Sequence, residues 1–558
     1  MMRRSYNSFP RGLSSAAREA MRGPVHAIRV LASRDYRRRE QNSREVYSRI
    51  QEQSRYMWRD VPKFPAPKRR VLLVASNFLT AIKTEMSFLI AMRAAGFDPS
   101  VLTWRHQAWV LRAFKLWGVE EFFFWEDFLP KASAMPRIPD ITSFDDVLAL
   151  QVRGTRVGKY SASWVMRQER LGRFDPSDSN AWKMLMDGIS EGARYVYAAD
   201  GILKAASPNT VILVERGYSP WGQLFDLCLH RGVDVLQWIA AHKNDALILK
   251  RYNQQNQHLH PSSLSTETWE WSKRMPWGEN QVNALDDELR QTYLSGEWYG
   301  EVGTQFSKEM KSPADLRAQL KLDPRKKTAI IFPHLFWDGT FFFGHDLFED
   351  YEDWFVNTIR AAANNPRLNW IIKVHPANVI KRHRDSYRGE YSEITAIRRS
   401  IGDLPRHIKL LGAESNISTY SVLSIMDYCL TVRGTVGIEA ASMGIPVLTA
   451  GTGRFDHLGF TLDSESVEEF LERLNTIENI EPLPAGSREL AQRYAYALFL
   501  LRPFQLSSLS FRYSQDSTAS LVVSFEVDTV RDLVEAPDMQ AFAEWACLSK
   551  AEDWIAGE

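Results

Sequence analysis

This chain repeatedly spells a short run of apolar residues, then a turn bearing glycine or proline, then a stretch with helical spacing. Strands that alternate apolar and polar side chains leave one face in water. Runs that are apolar throughout demand a sheet covered on both faces. Arg70-Val-Leu-Leu-Val-Ala-Ser is the first such run, and residues 80–95 after it have helical spacing that stops at Gly96. Residues 100–104 resume as a strand, completing a βαβ unit of a doubly wound sheet. Thr210–Val214 and Val233–Trp238 extend the same series. A second series opens at Lys327-Thr-Ala-Ile-Ile-Phe-Pro-His. It continues through helix 350–363, strand 369–374, helix 390–400, strand 407–411 and helix 419–427. The strands Cys429–Val432 and Pro446–Ala450 and an amphipathic helix over 466–476 complete it.

At 558 residues the chain exceeds what one hydrophobic core supports and suits two large domains plus extensions. The expected division is a basic N-terminal extension over 1–69, ended by Pro62, Pro65 and Pro67, and a Rossmann-like domain over 70–315. A second such domain spans 316–484, closed by Pro482 and Pro484, and a mostly helical segment over 485–558 has a strand near Leu521–Val527. Residues 130–200 resist placement beyond an Arg-rich helical stretch, and 252–315 read as loops and helices. The expected class is therefore α/β, with two doubly wound domains facing a cleft and C-terminal helices crossing back to the first. That is the GT-B architecture.

Residues 425–460 are the most telling stretch. The strand Cys429–Val432 runs into a turn bearing Gly434 and Gly437, then a short helix carrying Glu439. Such a strand–turn–helix aims backbone N–H groups and the positive end of a helix at one spot, which suits a phosphate. Glu439 lies one turn inside, within reach of a nucleotide's ribose hydroxyls. Thr435 belongs to the same turn, and Arg433 precedes it, as a charge-assisted donor contact or a solvent-exposed side chain. The turn Gly451–Gly453 follows the next strand; Arg454 and His457 on it would face the first domain across the cleft.

Lys373-Val-His375-Pro376 ends a buried strand, at the sheet edge where ligands of open α/β folds collect. His375 either hydrogen-bonds or protonates a phosphate, or caps the following turn. The loop Pro333–Asp346 combines aromatics with His334, Asp338 and His345, either as a donor contact led by Asp338 or as a core staple. No standard metal spacing is present, and no metal or cofactor beyond a nucleotide-sugar co-substrate is expected. Glu85 and Glu215 follow first-domain strands, where a carboxylate is placed to take a proton from an attacking hydroxyl. Glu215 would equally serve as an ion-pair partner of Arg216.

Together these residues resemble the capsule polysaccharide biosynthesis family, whose members include bacterial Kdo transferases with GT-B-type folds. The resemblance rests on Trp337-Asp338, on Lys373-Val-His-Pro, and on Gly434-Thr-Val-Gly-Ile-Glu-Ala-Ala with Gly444-Ile-Pro-Val and Gly459-Phe-Thr461. It covers about residues 325–475 well and Thr210–Tyr252 loosely. It implies transfer of a sugar from an activated nucleotide to a glycan or lipid-linked glycan at the cytoplasmic side of a membrane. GT-B sialyltransferases share a similar His-Pro, which implies that His375 contacts the donor phosphate. Many retaining GT-B enzymes place an acid eight positions before the equivalent of Glu439, but here that position is Thr431. The departure leans towards a CMP-linked donor. A teichoic-type polyol-phosphate transferase and a catalytically silent glycan-binding scaffold are the competing readings.

The formal net charge of +1 conceals an asymmetry. Residues 1–70 hold about 18 Lys or Arg against about 6 Asp or Glu, so the remainder is acidic. Attachment to an anionic membrane surface is one expectation, a solvated partly helical extension the blander one. Nucleic acid is not expected, since no aromatic-interleaved basic motif accompanies the charge. Cys228, Cys429 and Cys547 make no disulfide framework, and no apolar run is long enough to span a bilayer. With no apolar leader, a cytoplasmic protein, peripheral on the inner face of a membrane, is expected.

Overall fold

The structure is a computed structural model that describes residues 34–557 apart from 77, 79, 132–134, 136–137, 176, 304, 385–386 and 516–518. The first lobe holds β1 (Arg69–Val74), β2 (Phe97–Thr103), β3 (Glu121–Phe124), β4 (Thr210–Leu213), β5 (Asp234–Ala240) and β6 (Ala246–Tyr252). They lie in the order β3-β2-β1-β4-β5-β6, parallel except for β6. The second lobe holds β7 (Thr328–Ile331), β8 (Asn369–Lys373), β9 (Ile408–Leu411), β10 (Tyr428–Thr431) and β11 (Val447–Thr449). Their order, β9-β8-β7-β10-β11, is all parallel and repeats the first. Both are Rossmann-like doubly wound sheets, and each has a crevice where its strand order reverses, at β1/β4 and at β7/β10.

The apolar runs explain the layering. Val71, Leu73, Val101 and Ile212 face one core, while Leu72, Val74, Leu102 and Val211 face another. The second sheet divides likewise, with Ile330, Ile371 and Cys429 on one side and Ala329, Ile331 and Leu430 on the other. Helix Ile82–Ala94 is buried almost all round, because the C-terminal helix Pro537–Cys547 covers its outer side. Phe88 stacks on Phe542 there at 4.1 Å.

Three expectations change. Leu264, Trp269, Leu285, Tyr293 and Trp298, expected in the first domain, pack into the core of the second lobe. The tail holds more strand than the one expected near Leu521–Val527: β12 (Phe504–Gln505) joins the first sheet against β6, and β13 (Leu509–Tyr513) pairs with the expected strand, β14 (Leu521–Phe525). Much of the expected extension 1–69 falls outside the described residues, but helix Arg34–Met57 belongs to the first lobe. It buries Ile50 and Met57, and Ser54 accepts the Trp117 indole N–H at 2.7 Å.

The tail is tied in by a buried ion cluster. Asp553 meets Lys250 Nζ at 2.8 Å and Arg502 Nη2 at 3.2 Å, with none of the three side chains exposed. Its other oxygen accepts the Ser265 N–H at 2.6 Å. Burial opposes ionisation of Asp553, yet Arg502 and Lys250 hold its carboxyl below the ordinary range. Removing one member strands the others' charges in the interior. Asp553→Ala should therefore cost about 3–5 kcal/mol in urea denaturation; a loss below about 1 kcal/mol would show that the cluster does not anchor the tail.

Candidate functional site

Three loops meet at the carboxyl edge of the second sheet: 332–346 after β7, 374–377 after β8 and 432–436 after β10. Their strands are adjacent, in the order β10-β7-β8. His375 and Gly434 thus stand on the same edge, rooted two strand spacings, or about 10 Å, apart. His334, on the middle strand's loop, lies between them.

Each imidazole has its proton fixed by a backbone amide. His375 Nδ1 accepts the Ala377 N–H at 3.2 Å, so Nε2 carries the proton and donates. His334 Nε2 accepts the Arg433 N–H at 3.2 Å, while its ring stacks on Tyr351 at 4.6 Å. His260 Nδ1 accepts the Ser262 N–H at 3.1 Å, and its ring lies 4.7 Å from Phe343. Burial, then Lys381 and Lys373, push His375 down to about 4. Burial together with nearby arginines holds His334 and His260 well below the usual histidine range. The result is three neutral N–H donors among cations.

The glycine turn differs from the open amide cradle expected of it. The Gly434 N–H donates to Thr431 Oγ1 at 3.1 Å, and the Arg433 N–H is taken by His334. Thr431, where an acid was sought, thus shapes the turn. Thr435 Oγ1 accepts from Arg454 Nη2 at 2.7 Å, and the same guanidinium reaches Arg433 O at 3.2 Å and Ser262 Oγ at 3.0 Å. Gly437 gives the short helix Val436–Ser442 its close approach to Phe455. Glu439 is buried and accepts from Tyr293 Oη at 2.5 Å; burial raises its carboxyl to about 7 against the pull of Tyr293 and Arg454.

Other expected site residues have structural partners instead. Arg433 is neither a free donor contact nor exposed. It holds loop 333–346 through Phe343 O at 2.8 Å, His345 O at 3.2 Å and a short ion pair with Asp346. The side chain of His345 is exposed. His457 is half-exposed and turned towards Asp463, 3.9 Å away, rather than across the cleft. Among the described residues no group of acids, histidines or cysteines is arranged to hold a metal.

Asp338 clasps the lobes together. It accepts from Tyr218 Oη at 2.7 Å, lies 3.7 Å from Arg167, and makes a short ion pair with Lys381. Burial would raise its carboxyl, but Lys381 and Arg167 hold it well below the usual range. The aromatics around it are the core staple. Arg170 covers Trp337 at 3.9 Å, Phe341 meets Phe144 at 5.4 Å and Phe342 meets Tyr218 at 5.1 Å. Gly217 has no side chain because a Cβ there would overlap the Phe342 ring.

In the first lobe Glu215 Oε1 accepts the N–H groups of Arg216 and Gly217 at 2.8 and 3.0 Å. Its Oε2 faces Arg167 at 3.5 Å, and the side chain is 35% exposed. The Arg216 side chain goes elsewhere, to Gln257 O and Leu259 O. Glu85 is 0% exposed; it accepts the Ser76 N–H at 2.8 Å, and burial raises it to about 8. His260, Tyr293 and Lys381 were missed as members of the site, and His334 was marked only as part of its loop. Of these only His334 carried a local signal, its place in the loop after β7.

No family model matches the chain, and no curated protein matches it. Among solved structures it is similar to the KpsC beta Kdo 2,4 transferase of Thermosulfurimonas dismutans, at 13% identity and TM-score 0.32, over 58% of this chain and 86% of that one. It is also similar to the UDP-GlcNAc 2-epimerase of Neisseria meningitidis bound to UDP-GlcNAc, at 12% identity and TM-score 0.26, over 77% and 96%. The calicheamicin glycosyltransferase CalG4 is similar at 13% identity and TM-score 0.25, over 76% and 93%. The assignment of the fold rests on the two strand orders.

A depressed histidine pKa links folding to pH. An unfolded imidazole takes a proton below about 6.5 that the folded His375 refuses until about 4. Stability should therefore rise with pH across that window, less steeply in His375→Asn, and an NMR titration of His375 should give about 4. A midpoint near 6.5 would contradict its role as a fixed neutral donor.

Proposed function

We propose that this chain is a glycosyltransferase that moves a sugar from a nucleotide-activated donor in the second lobe to a glycan acceptor against the first. The carrying observation is the placement of His375, His334 and the Gly434 turn on one sheet edge, at the strand-order reversal. A departing nucleotide gains negative charge on its phosphate as the glycosidic bond breaks. Fixed donors aimed at that charge stabilise it without reorganising. His375 Nε2–H is one such donor, and its neutrality makes it a hydrogen-bond donor rather than a general acid at neutral pH. Glu439, oriented by Tyr293, is the ribose contact. Thr431 in place of an acid favours a CMP-linked donor.

Glu215 is the preferred base for the acceptor hydroxyl. It follows β4 at the first sheet's own reversal and is partly exposed with one oxygen outside its turn. Glu85 is sealed beneath that edge, and Asp338 is saturated by cations. A panel of CMP, UDP, GDP and CDP tests the reading in thermal shift: a nucleotide at 100 times its Kd adds about 2.7 kcal/mol of stability. His375→Ala should keep nucleoside binding but lose most of the advantage that a nucleotide's phosphate confers. If none of the four raises Tm, the transferase reading fails.

The basic extension supports attachment to an anionic membrane surface, each arginine near it contributing about 1 kcal/mol. No described helix is long and apolar enough to cross a membrane. Because helix Arg34–Met57 is part of the first lobe, the cut that tests this is removal of residues 1–33, which hold six Arg and one Glu. Cosedimentation with phosphatidylserine vesicles should drop at least tenfold with turnover unchanged. Unchanged cosedimentation would dismiss the anchor.

A further inference from the structure

Among the described residues four lysine side chains are buried, and three have partners. Lys83 Nζ donates to Val523 O at 2.8 Å, Lys250 pairs with Asp553, and Lys381 pairs with Asp338. Lys373 is 4% exposed, yet among the described residues its side chain has neither a hydrogen-bond partner nor a carboxylate within ion-pair distance. An ammonium that keeps only a sliver of solvent and has no counter-charge is a penalised arrangement. A chain that answers the same problem at Lys250 and Lys381 leaves it open at one place, the last residue of β8.

That place borders the proposed donor site. Side chains along a strand alternate, so Lys373 shares a sheet face with Ile371, which packs with Ile438 of the helix that starts at Val436. His375 follows two residues later. The charged neighbour on the other side is Lys308, whose Nζ donates to Ser415 O at 2.5 Å and whose own nearest acid is Glu414. Among the described residues no acid offsets Lys373: burial, then Lys308, hold its amine down to about 8. In turn Lys373 helps hold down His375.

We propose that Lys373 is the counter-ion of an oxyanion carried by the donor, so that the subsite is completed only when the donor binds. This rests on the transferase reading and sharpens it. The oxyanion is a phosphate of the nucleotide or a carboxylate of the transferred sugar, and the two are separable. Until it arrives, the site holds a charge that the fold alone does not neutralise.

The test is calorimetry with CMP, UDP, pyrophosphate, UDP-glucose and UDP-glucuronic acid, in buffers of different ionisation enthalpy, on wild type and Lys373→Met. An incoming oxyanion restores the amine to its ordinary range. Wild type should therefore take up about half a proton on binding at pH 8 and close to one at pH 9. Lys373→Met should take up none and bind about 10- to 100-fold more weakly. Its ligand-free Tm should rise, because an uncompensated buried charge has gone. Loss with UDP, CMP or pyrophosphate assigns a phosphate; loss confined to UDP-glucuronic acid assigns a sugar carboxylate. Nucleotide binding with the same Kd and proton uptake in both proteins would overturn this proposal alone. A lower ligand-free Tm in Lys373→Met would overturn it too, by making the lysine structural. If wild type binds none of the probes, the proposal and the transferase reading fall together.

Discussion

Trp337, Phe341 and Phe342 leave the second lobe and are buried in the first, and the crevice between the sheets takes its width from them. They sit in a hydrophobic layer with Tyr160, Tyr218 and Phe144, and Asp338 beside them ties Tyr218, Arg167 and Lys381 to one carboxylate. Burying an aromatic side chain of this size stabilises by about 3–5 kcal/mol against its removal to alanine. Loop strands reinforce the seam, with Gly344 N–H donating to His258 O at 2.9 Å and His260 N–H to Gly453 O at 2.8 Å. A two-lobed protein with an open, wet interface would hinge freely; this one is riveted beside the carboxyl edge of its second sheet.

The electrostatics of the two edges differ in kind. At the second sheet lysines, arginines and imidazoles surround carboxylates that are already paired, Asp338 with Lys381 and Asp346 with Arg433, and His375, His334 and His260 are held neutral by burial with a backbone amide on one nitrogen. At the first sheet the unengaged oxygen belongs to Glu215, partly exposed with Arg167 at 3.5 Å, while Glu85 is sealed. The proposed transfer, with a donor leaving as an anion and an acceptor losing a proton, would use that division. Arg454 bridges the two, touching Thr435 on one side and Ser262 on the other.

The fold could be read because its signal is local. Runs such as Val71–Val74 and Ile330–Ile331 are apolar at every position, and only a sheet covered twice satisfies that. The glycine turn and the His-Pro were legible for the same reason, as short strings at strand ends. What escaped depends on distant partners. Nothing near Tyr293 announces that its hydroxyl meets Glu439, 146 residues later. Arg433 looked like a ligand contact because its own loop partners, Phe343 and Asp346, lie about 90 positions upstream. Helices Thr266–Arg274 and Glu279–Ser295 have polar, weakly patterned sequences, and their membership of the second lobe is decided by a few apolar side chains, Trp269, Leu285, Leu289 and Tyr293.

The return of the tail to the first sheet has a consequence for synthesis. Strand β6 is complete once residue 252 is made, but its outer edge stays bare until Phe504 and Gln505 arrive, and Lys250 stays without its carboxylate until Asp553 emerges from the ribosome. For some 250 residues of translation the first lobe therefore carries an unpaired strand edge, and for some 300 an unmatched cation, both hazards for premature association. The first lobe therefore cannot close its sheet or neutralise Lys250 until residues 504–505 and 553 have been made.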